Sequence, residues 1–148
     1  MSGSLGHSPA DIIRWLIIGL SYGTDPDDDL TWPIYCASEP TAPDNCMTVY
    51  DTTAIDQGRR SFGGRRELFY GFQIRVRATD HETGWVKANN VATGLDASVL
   101  RNSVTIGGNT YCVHSINRDG GVITLGRDVA NTKRRLFTIN GVADITQL

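Results

Sequence analysis

The sequence is poor in the residue types that most often carry chemistry. It holds three histidines and three cysteines in 148 residues. Cys36, Cys46 and Cys112 are odd in number and sparse, which argues against a disulfide framework. In a reducing compartment they read as buried, inert thiols. A Cys36–Cys46 bridge stays open if adjacent strands bring the two together. His7, His81 and His114 are scattered, and none has a second ligand pair at metal spacing. Long apolar runs are missing too. Residues 12–20 are greasy, but Arg14 interrupts them, and a bilayer takes about 20 apolar residues. The same stretch lacks the basic n-region and small-residue cleavage site of a signal peptide. No charge sign dominates, since the net charge is -2. Bulk charge therefore calls for neither nucleic acid nor an anionic membrane. A soluble chain with no membrane partner, made in a cytosol, is the expectation.

What is present suits one ordinary domain. Hydrophobic residues make up 40% and charged residues 20%. A chain of this length can bury roughly 70% of the surface its unfolded form exposes, enough for a core without staples.

Residues 1–7 are rich in Gly and Ser and read as a flexible N-terminus. Ser8 is a good helix N-cap, Pro9 suits the first helical position, and Asp11 suits the first turn. Ile12, Ile13, Leu16, Ile17 and Leu20 then recur at helical spacing. Gly23 is the stop, so a first helix is predicted over 9–22. An acidic loop follows over 24–33. Pro33, Pro40 and Pro43 bracket a short edge strand at 34–36. Residues 46–50 read as a strand, and 51–66 as a long polar connection.

The clearest strand signal is 67–78. Leu68, Tyr70, Phe72, Ile74, Val76 and Ala78 share one face, while Glu67, Phe69, Gly71, Gln73, Arg75 and Arg77 share the other. One face is expected on a core and the other toward solvent or a partner. Thr79 and Glu82 have capping-box spacing. A second helix over 80–99 carries Trp85, Ala88, Val91, Ala92, Leu95 and Val99 as its buried stripe. Gly94 inside it weakens it by about 1 kcal/mol, which close packing on the sheet would excuse. Strands at 103–106 and 110–117 form a hairpin about Gly107-Gly108-Asn109, and strands at 122–125 and 134–140 follow. The predicted class is α+β, a mixed, mostly antiparallel sheet with two helices packed on one face. Residues 8–148 form a single domain.

Few residues nominate a site. Cys112 and His114 alternate onto the same strand face, an arrangement that a zinc site or thiol nucleophile can use, but a packed strand is the preferred reading. The run Asp25-Pro26-Asp27-Asp28-Asp29 opens like a calcium loop. It then has Leu30 and Cys36 where an EF-hand requires Gly and Glu, so the match fails. Gly107-Gly108 and Gly120-Gly121 open no helix and are turns, not phosphate loops. No catalytic, cofactor or metal residues are expected. The informative cluster is basic. Arg59, Arg60, Arg65 and Arg66 flank a tip containing Phe62, and Arg75 and Arg77 extend it. Such a surface suits phosphates or carboxylates on a neighbour. Asp25, Asp27, Asp28 and Asp29 form a patch of opposite sign. The two are expected to meet across subunit or partner boundaries.

The order of several short segments resembles a known family. These are Asp11-Ile12-Ile13 through Leu20-Ser21-Tyr22-Gly23; Ile34-Tyr35-Cys36; Glu39-Pro40 with Pro43-Asp44; and Val49-Tyr50-Asp51-Thr52. Further along come Phe72-Gln73-Ile74-Arg75-Val76-Arg77, then Trp85, Ala88, Val91 and Leu95-Asp96. The last are Tyr111, Val113 and Ile116, Gly126-Arg127-Asp128, and Arg135-Leu136-Phe137-Thr138-Ile139. In this order they resemble the phage tail terminator and minor capsid (tail completion) family of long-tailed phages. Residues 58–66 match no signature of that family. The resemblance implies a non-enzymatic virion protein that forms a ring, typically a hexamer. Such a ring caps the tail tube, ends its polymerisation and offers a surface to the head. The implied partners are the tail tube protein and the head connector or completion protein. A passing contact with phage DNA in the lumen stays open. The implied location is the head-proximal end of the tail, after assembly in the host bacterial cytoplasm. Another head–tail junction component, such as a connector-completion or tail-tube-like subunit, is the alternative. An enzyme or small-ligand binder is the third class.

Overall fold

A computed structural model of the chain describes residues 5–53, 55–59, 66–97, 102–127 and 133–148. The alternating segment forms the spine of the fold. It is strand β4 (Arg66–Ala78), and its Phe72, Ile74, Val76 and Ala78 are fully buried on one face. Flanking it are β2 (Cys46–Asp51) on one side and β8 (Arg135–Gln147) on the other, both antiparallel. Beyond β2 lies β1 (Ile34–Cys36), parallel and at the edge, where the prolines place it. Beyond β8 come β6 (Asn109–Arg118) and β5 (Asn102–Ile106), joined by a hairpin whose Gly107 takes φ +59°. The order is β1-β2-β4-β8-β6-β5. The α+β class, with a mixed and mostly antiparallel sheet, holds.

Strand β8 runs on past Asn140, where the sequence predicts its end. Gly141 lies opposite Phe72. A side-chain carbon at Gly141 would come within 2.8 Å of the Phe72 ring and 2.9 Å of the Asn117 carbonyl. The glycine lets the strand continue under an aromatic ring.

Two strands extend this set. Residues 51–66, expected as a connection, contain β3 (Ile55–Arg59), which pairs with the first third of β4. β7 (Ile123–Arg127) pairs with the start of β8, not with β6. β2 and β3 thus lie end to end along β4, and β6 and β7 lie end to end along β8. Both interruptions fall at one transverse row. Asp51, the end of β2, pairs with Phe72; Phe72 pairs with Gly141; Gly141 pairs with Arg118, the end of β6. The sheet has a crease at this row.

Helix α1 (Pro9–Gly19) begins as its cap signal predicts. The Ser8 hydroxyl accepts from the Asp11 amide at 3.2 Å, and the Asp51 carboxylate accepts from the Ala10 amide at 2.8 Å. It ends before Gly23. The Tyr22 amide donates to the Ile17 carbonyl and the Ser21 amide to Ile18, with Ser21 at φ +66°. This is a Schellman stop with serine where glycine is usual. Helix α2 (His81–Ala97) is capped by Asp80, not by the predicted Thr79–Glu82 pair. Asp80 accepts from the Thr83 amide at 3.3 Å and the Thr83 hydroxyl at 3.1 Å. Val99 lies outside the described residues.

Both helices pack on the Phe72 face of the sheet and share one core. α1 touches β1 and β2 at one edge and β5 at the other, so the sheet curls round it. On α2 the buried stripe is Ala88, Val91, Ala92 and Leu95. Trp85, predicted to join it, is 42% exposed. The reason is Gly84. A side-chain carbon there would lie 2.3 Å from the Phe137 ring, so α2 presses its glycine onto the sheet and leaves Trp85 on the shoulder. Gly94 likewise makes room for a ring, that of Tyr22, which a side-chain carbon there would strike, and not for the sheet. Of the N-terminal segment, Leu5 packs against the core, the Gly6 amide donates to Gln147 at 2.9 Å, and His7 Nδ1 lies 2.6 Å from the Tyr111 hydroxyl.

Candidate interaction surfaces

The β4 face that carries Arg75 and Arg77 is covered by a loop at its Arg77 end. Residues 37–45 fold across it. Arg77 is 2% exposed. Its guanidinium donates to the carbonyls of Pro40 (2.6 Å), Pro43 (2.5 Å) and Asp44 (3.2 Å). Arg77 is therefore a buried clamp and not the partner-facing residue that the sequence predicts. The proline-bracketed loop cannot form a ladder with β4, so its carbonyls need donors, and Arg77 supplies three. Arg75 is half-buried. It pairs with Glu39 at 3.7 Å and its guanidinium lies 5.8 Å from the Tyr50 ring centroid. Arg134 completes the clamp by donating to the Asp44 carboxylate at 2.8 Å and the Thr41 carbonyl at 2.5 Å. Sequence reasoning missed Arg134, which lies 90 residues from Asp44. Beneath this loop, burial pushes the Cys46 thiol up to about 11. The three cysteines are free.

The basic cluster sits on a hairpin. Register pairs Arg59 with Arg66 at the open end of β3 and β4. Arg60, Phe62 and Arg65 lie outside the described residues. The paired Arg59 and Arg66 lie at the far end of β4 from Ala78.

The acidic loop is closed by a parallel bridge between Thr24 and Pro33. Asp25 turns inward. It accepts from the Asp27 amide at 3.1 Å and lies 3.6 Å from the Arg14 guanidinium. Asp27, Asp28 and Asp29 are exposed. Hydrogen bonds from the Thr31 hydroxyl (2.7 Å) and amide (2.9 Å) hold the Asp29 carboxyl below the usual range.

Between this loop and α2 lies a groove of about 420 Å³, lined by Trp32, Asp80, Glu82, Val86, Lys87 and Asn90 among others. The Lys87 ammonium lies 5.3 Å from the Trp32 ring centroid, and burial lowers its pKa. Of the groove lining, Val86 is 50% exposed, and in the acidic loop Leu30 is 58% exposed. No local motif marks it, because Trp32 and Val86 come from segments 54 residues apart. A second depression, of about 570 Å³, follows the crease between Thr52, Thr53, Asn117 and Asp119.

Cys112 and His114 do come together, with Sγ and Nδ1 3.6 Å apart. The other imidazole nitrogen lies 2.8 Å from the Thr146 hydroxyl. The pair is tied into the β6–β8 ladder at a bulge. Among the described residues, no group of three or more His, Cys, Asp or Glu side chains is placed to hold a metal ion.

No family model matches the chain, and no curated protein matches it. Solved structures do resemble it, among them two of low identity. One is titled as the virion of a native gene transfer agent particle. It is 13% identical, with a TM-score of 0.46, over 76% of this chain and 77% of that one. The other is 20% identical, with a TM-score of 0.46, over 92% of this chain and 94% of that one.

Proposed function

We propose that this chain is a structural virion protein of a long-tailed phage that caps the tail tube and ends its polymerisation. In this reading it works as a ring, a hexamer, has no catalytic role and needs no cofactor. It contacts the tube protein on one side and the head connector or completion protein on the other.

One observation carries the reading. The sequence segments that resemble the tail completion family fall on successive elements of a single sheet and its helices. Residues 34–36 are β1, 49–51 end β2, 72–77 lie in β4, and 85–96 lie in α2. Tyr111, Val113 and Ile116 lie in β6, Gly126 and Arg127 end β7, and 135–139 open β8. Segments spread over more than a hundred residues therefore belong to one framework. Its charged and apolar outer surfaces suit contacts with other subunits.

The experiment pairs solution mass with negative-stain imaging of the purified chain, alone and with tail tubes. Closed rings that stop tube growth are expected. Long tubes of the chain itself would make it a tail-tube-like subunit instead. Tubes that grow on unchanged, with no ring at their ends, would overturn the reading.

A further inference from the structure

Strand β6 sets a thiol and an imidazole side by side on the sheet face away from the helices. We propose that Cys112 and His114 form a chelating site for one thiophilic cation of the zinc and cadmium class. The Cys112 thiolate and the His114 Nδ1 atom are its two protein ligands, and water fills the remaining positions. The site is independent of the capping role, which needs no metal.

The first argument is the spacing of the donor atoms. Cys112 Sγ lies 3.6 Å from His114 Nδ1. Zinc bonds of about 2.3 Å to sulfur and about 2.1 Å to nitrogen, at a tetrahedral angle, hold the same two atoms about 3.6 Å apart. The pair can close on such an ion with little movement of either side chain. The second ring nitrogen also has its partner, because Nε2 lies 2.8 Å from the Thr146 hydroxyl on β8. With the ring proton on Nε2, that hydroxyl accepts it and the Nδ1 lone pair faces Sγ. Metal-binding imidazoles are held in this way, and the outer partner sets both tautomer and ring orientation. The other imidazoles are engaged elsewhere. His7 Nδ1 lies 2.6 Å from the Tyr111 hydroxyl, and the His81 ring lies 5.4 Å from that of Phe137.

The second argument is placement. Tyr111 and Val113 flank Cys112 on β6 and belong to the core shared with the helices. Alternation therefore turns Cys112 to the opposite face. The ladder skips His114, since Val113 pairs with Ile145 and Ser115 with Asp144. A residue left out of a ladder can be re-aimed, and His114 leans back onto Cys112. Cys112 itself is 8% exposed. Its cross-strand neighbour Ser103 is exposed, and His114 and Thr146 are partly so. An ion thus enters from the imidazole side. The donor atoms decide its class. A thiolate with an imidazole favours zinc-like cations over magnesium or calcium, which take oxygen ligands. Burial raises the pKa of the Cys36 and Cys46 thiols, which disfavours the thiolate that a metal requires. Two protein ligands hold an ion less tightly than the four of a structural zinc site, so the bound ion exchanges.

The test titrates the folded full chain with Cd²⁺ and follows the ultraviolet absorption of the thiolate–cadmium bond. One equivalent should bind per chain, Zn²⁺ should displace it, and Mg²⁺ at the same concentration should not. Cys112→Ser should abolish the absorption. His114→Gln should weaken binding at least tenfold. Thr146→Val should weaken it about tenfold, as loss of an outer partner does. Cys36→Ser leaves the pair intact and should bind as the parent does. Melting curves without metal show that each chain is folded, and if Cys112→Ser is not, His114→Gln and Thr146→Val decide. A parent chain without the absorption would reduce the contact to an S–H···N hydrogen bond and overturn the proposal. Absorption that survives Cys112→Ser would overturn it too, because another thiol then takes the ion. Unchanged affinity in His114→Gln would do the same, because the thiol then acts without the imidazole.

Discussion

The two faces of β4 are held by different physics. On the helix side, Phe72, Ile74 and Val76 are buried among hydrocarbon side chains. Stabilisation there scales with apolar area, at about 25 cal/mol per Å². On the loop side, Arg77 is almost equally buried, yet it is surrounded by carbonyl oxygens. Stabilisation there is a balance between desolvating a guanidinium and giving it charge-assisted bonds. A polar residue at an alternating position is therefore no sign of solvent, because a loop without ladder partners can cover it.

The largest way to test this contrast is Phe137→Ala on the apolar side. It should cost about 3–5 kcal/mol in urea unfolding, because Phe137 is fully buried beneath Gly84 of α2. Arg77→Ala should cost about 3 kcal/mol, since three buried carbonyls lose their donor. A loss under about 1 kcal/mol would erase the distinction between Arg77 and an ordinary surface arginine. The Cys46 thiol beside it titrates near 11 when folded. Unfolding returns it to about 8.5. The folded state then holds the proton that the unfolded state releases, so stability should fall as pH rises from about 9 to 11. Cys46→Ser, compared across that range, should reduce the slope without abolishing it, because burial also raises the pKa values of Cys36, Tyr35, Tyr50 and Tyr70. Gly94→Ala should lose about 1 kcal/mol net, despite better helix propensity, because the new methyl group meets the Tyr22 ring. Arg75→Ala should cost under about 1 kcal/mol, since Arg75 keeps more contact with water than Arg77 and its carboxylate is 3.7 Å away.

The same contrast explains what could be read from the sequence. The apolar periodicities of β4, α1 and α2 are local, and each element lies where its pattern puts it. β3 was hidden because it has no two-residue alternation of its own and is a strand only through its long neighbour, whereas β7 lies close to the strand expected at 122–125 and only its partner, β8, was not legible. The end of α1 was misplaced because Ser21 adopts the left-handed conformation that glycine usually marks. The charges of the candidate surface were plain in Asp27, Asp28 and Asp29 and in the Arg59–Arg66 run. The groove was not, because its Trp32 and Val86 meet only after α2 packs on the sheet. Arg77 was misjudged for the reason the two faces illustrate, since its partners are backbone atoms that no side-chain pattern reports.

The crease at Asp51, Phe72, Gly141 and Arg118 has a mechanical consequence. Among the described residues, only β4 and β8 cross that row unbroken. Tension applied at the hairpin end reaches the helix end through two taut chains and the ladder between them, while the outer chains cross with slack. The ladder there is loaded in shear, so its hydrogen bonds share the force along the row and do not open one at a time. The sheet can thus resist being pulled apart along its length although its outer ladders are interrupted.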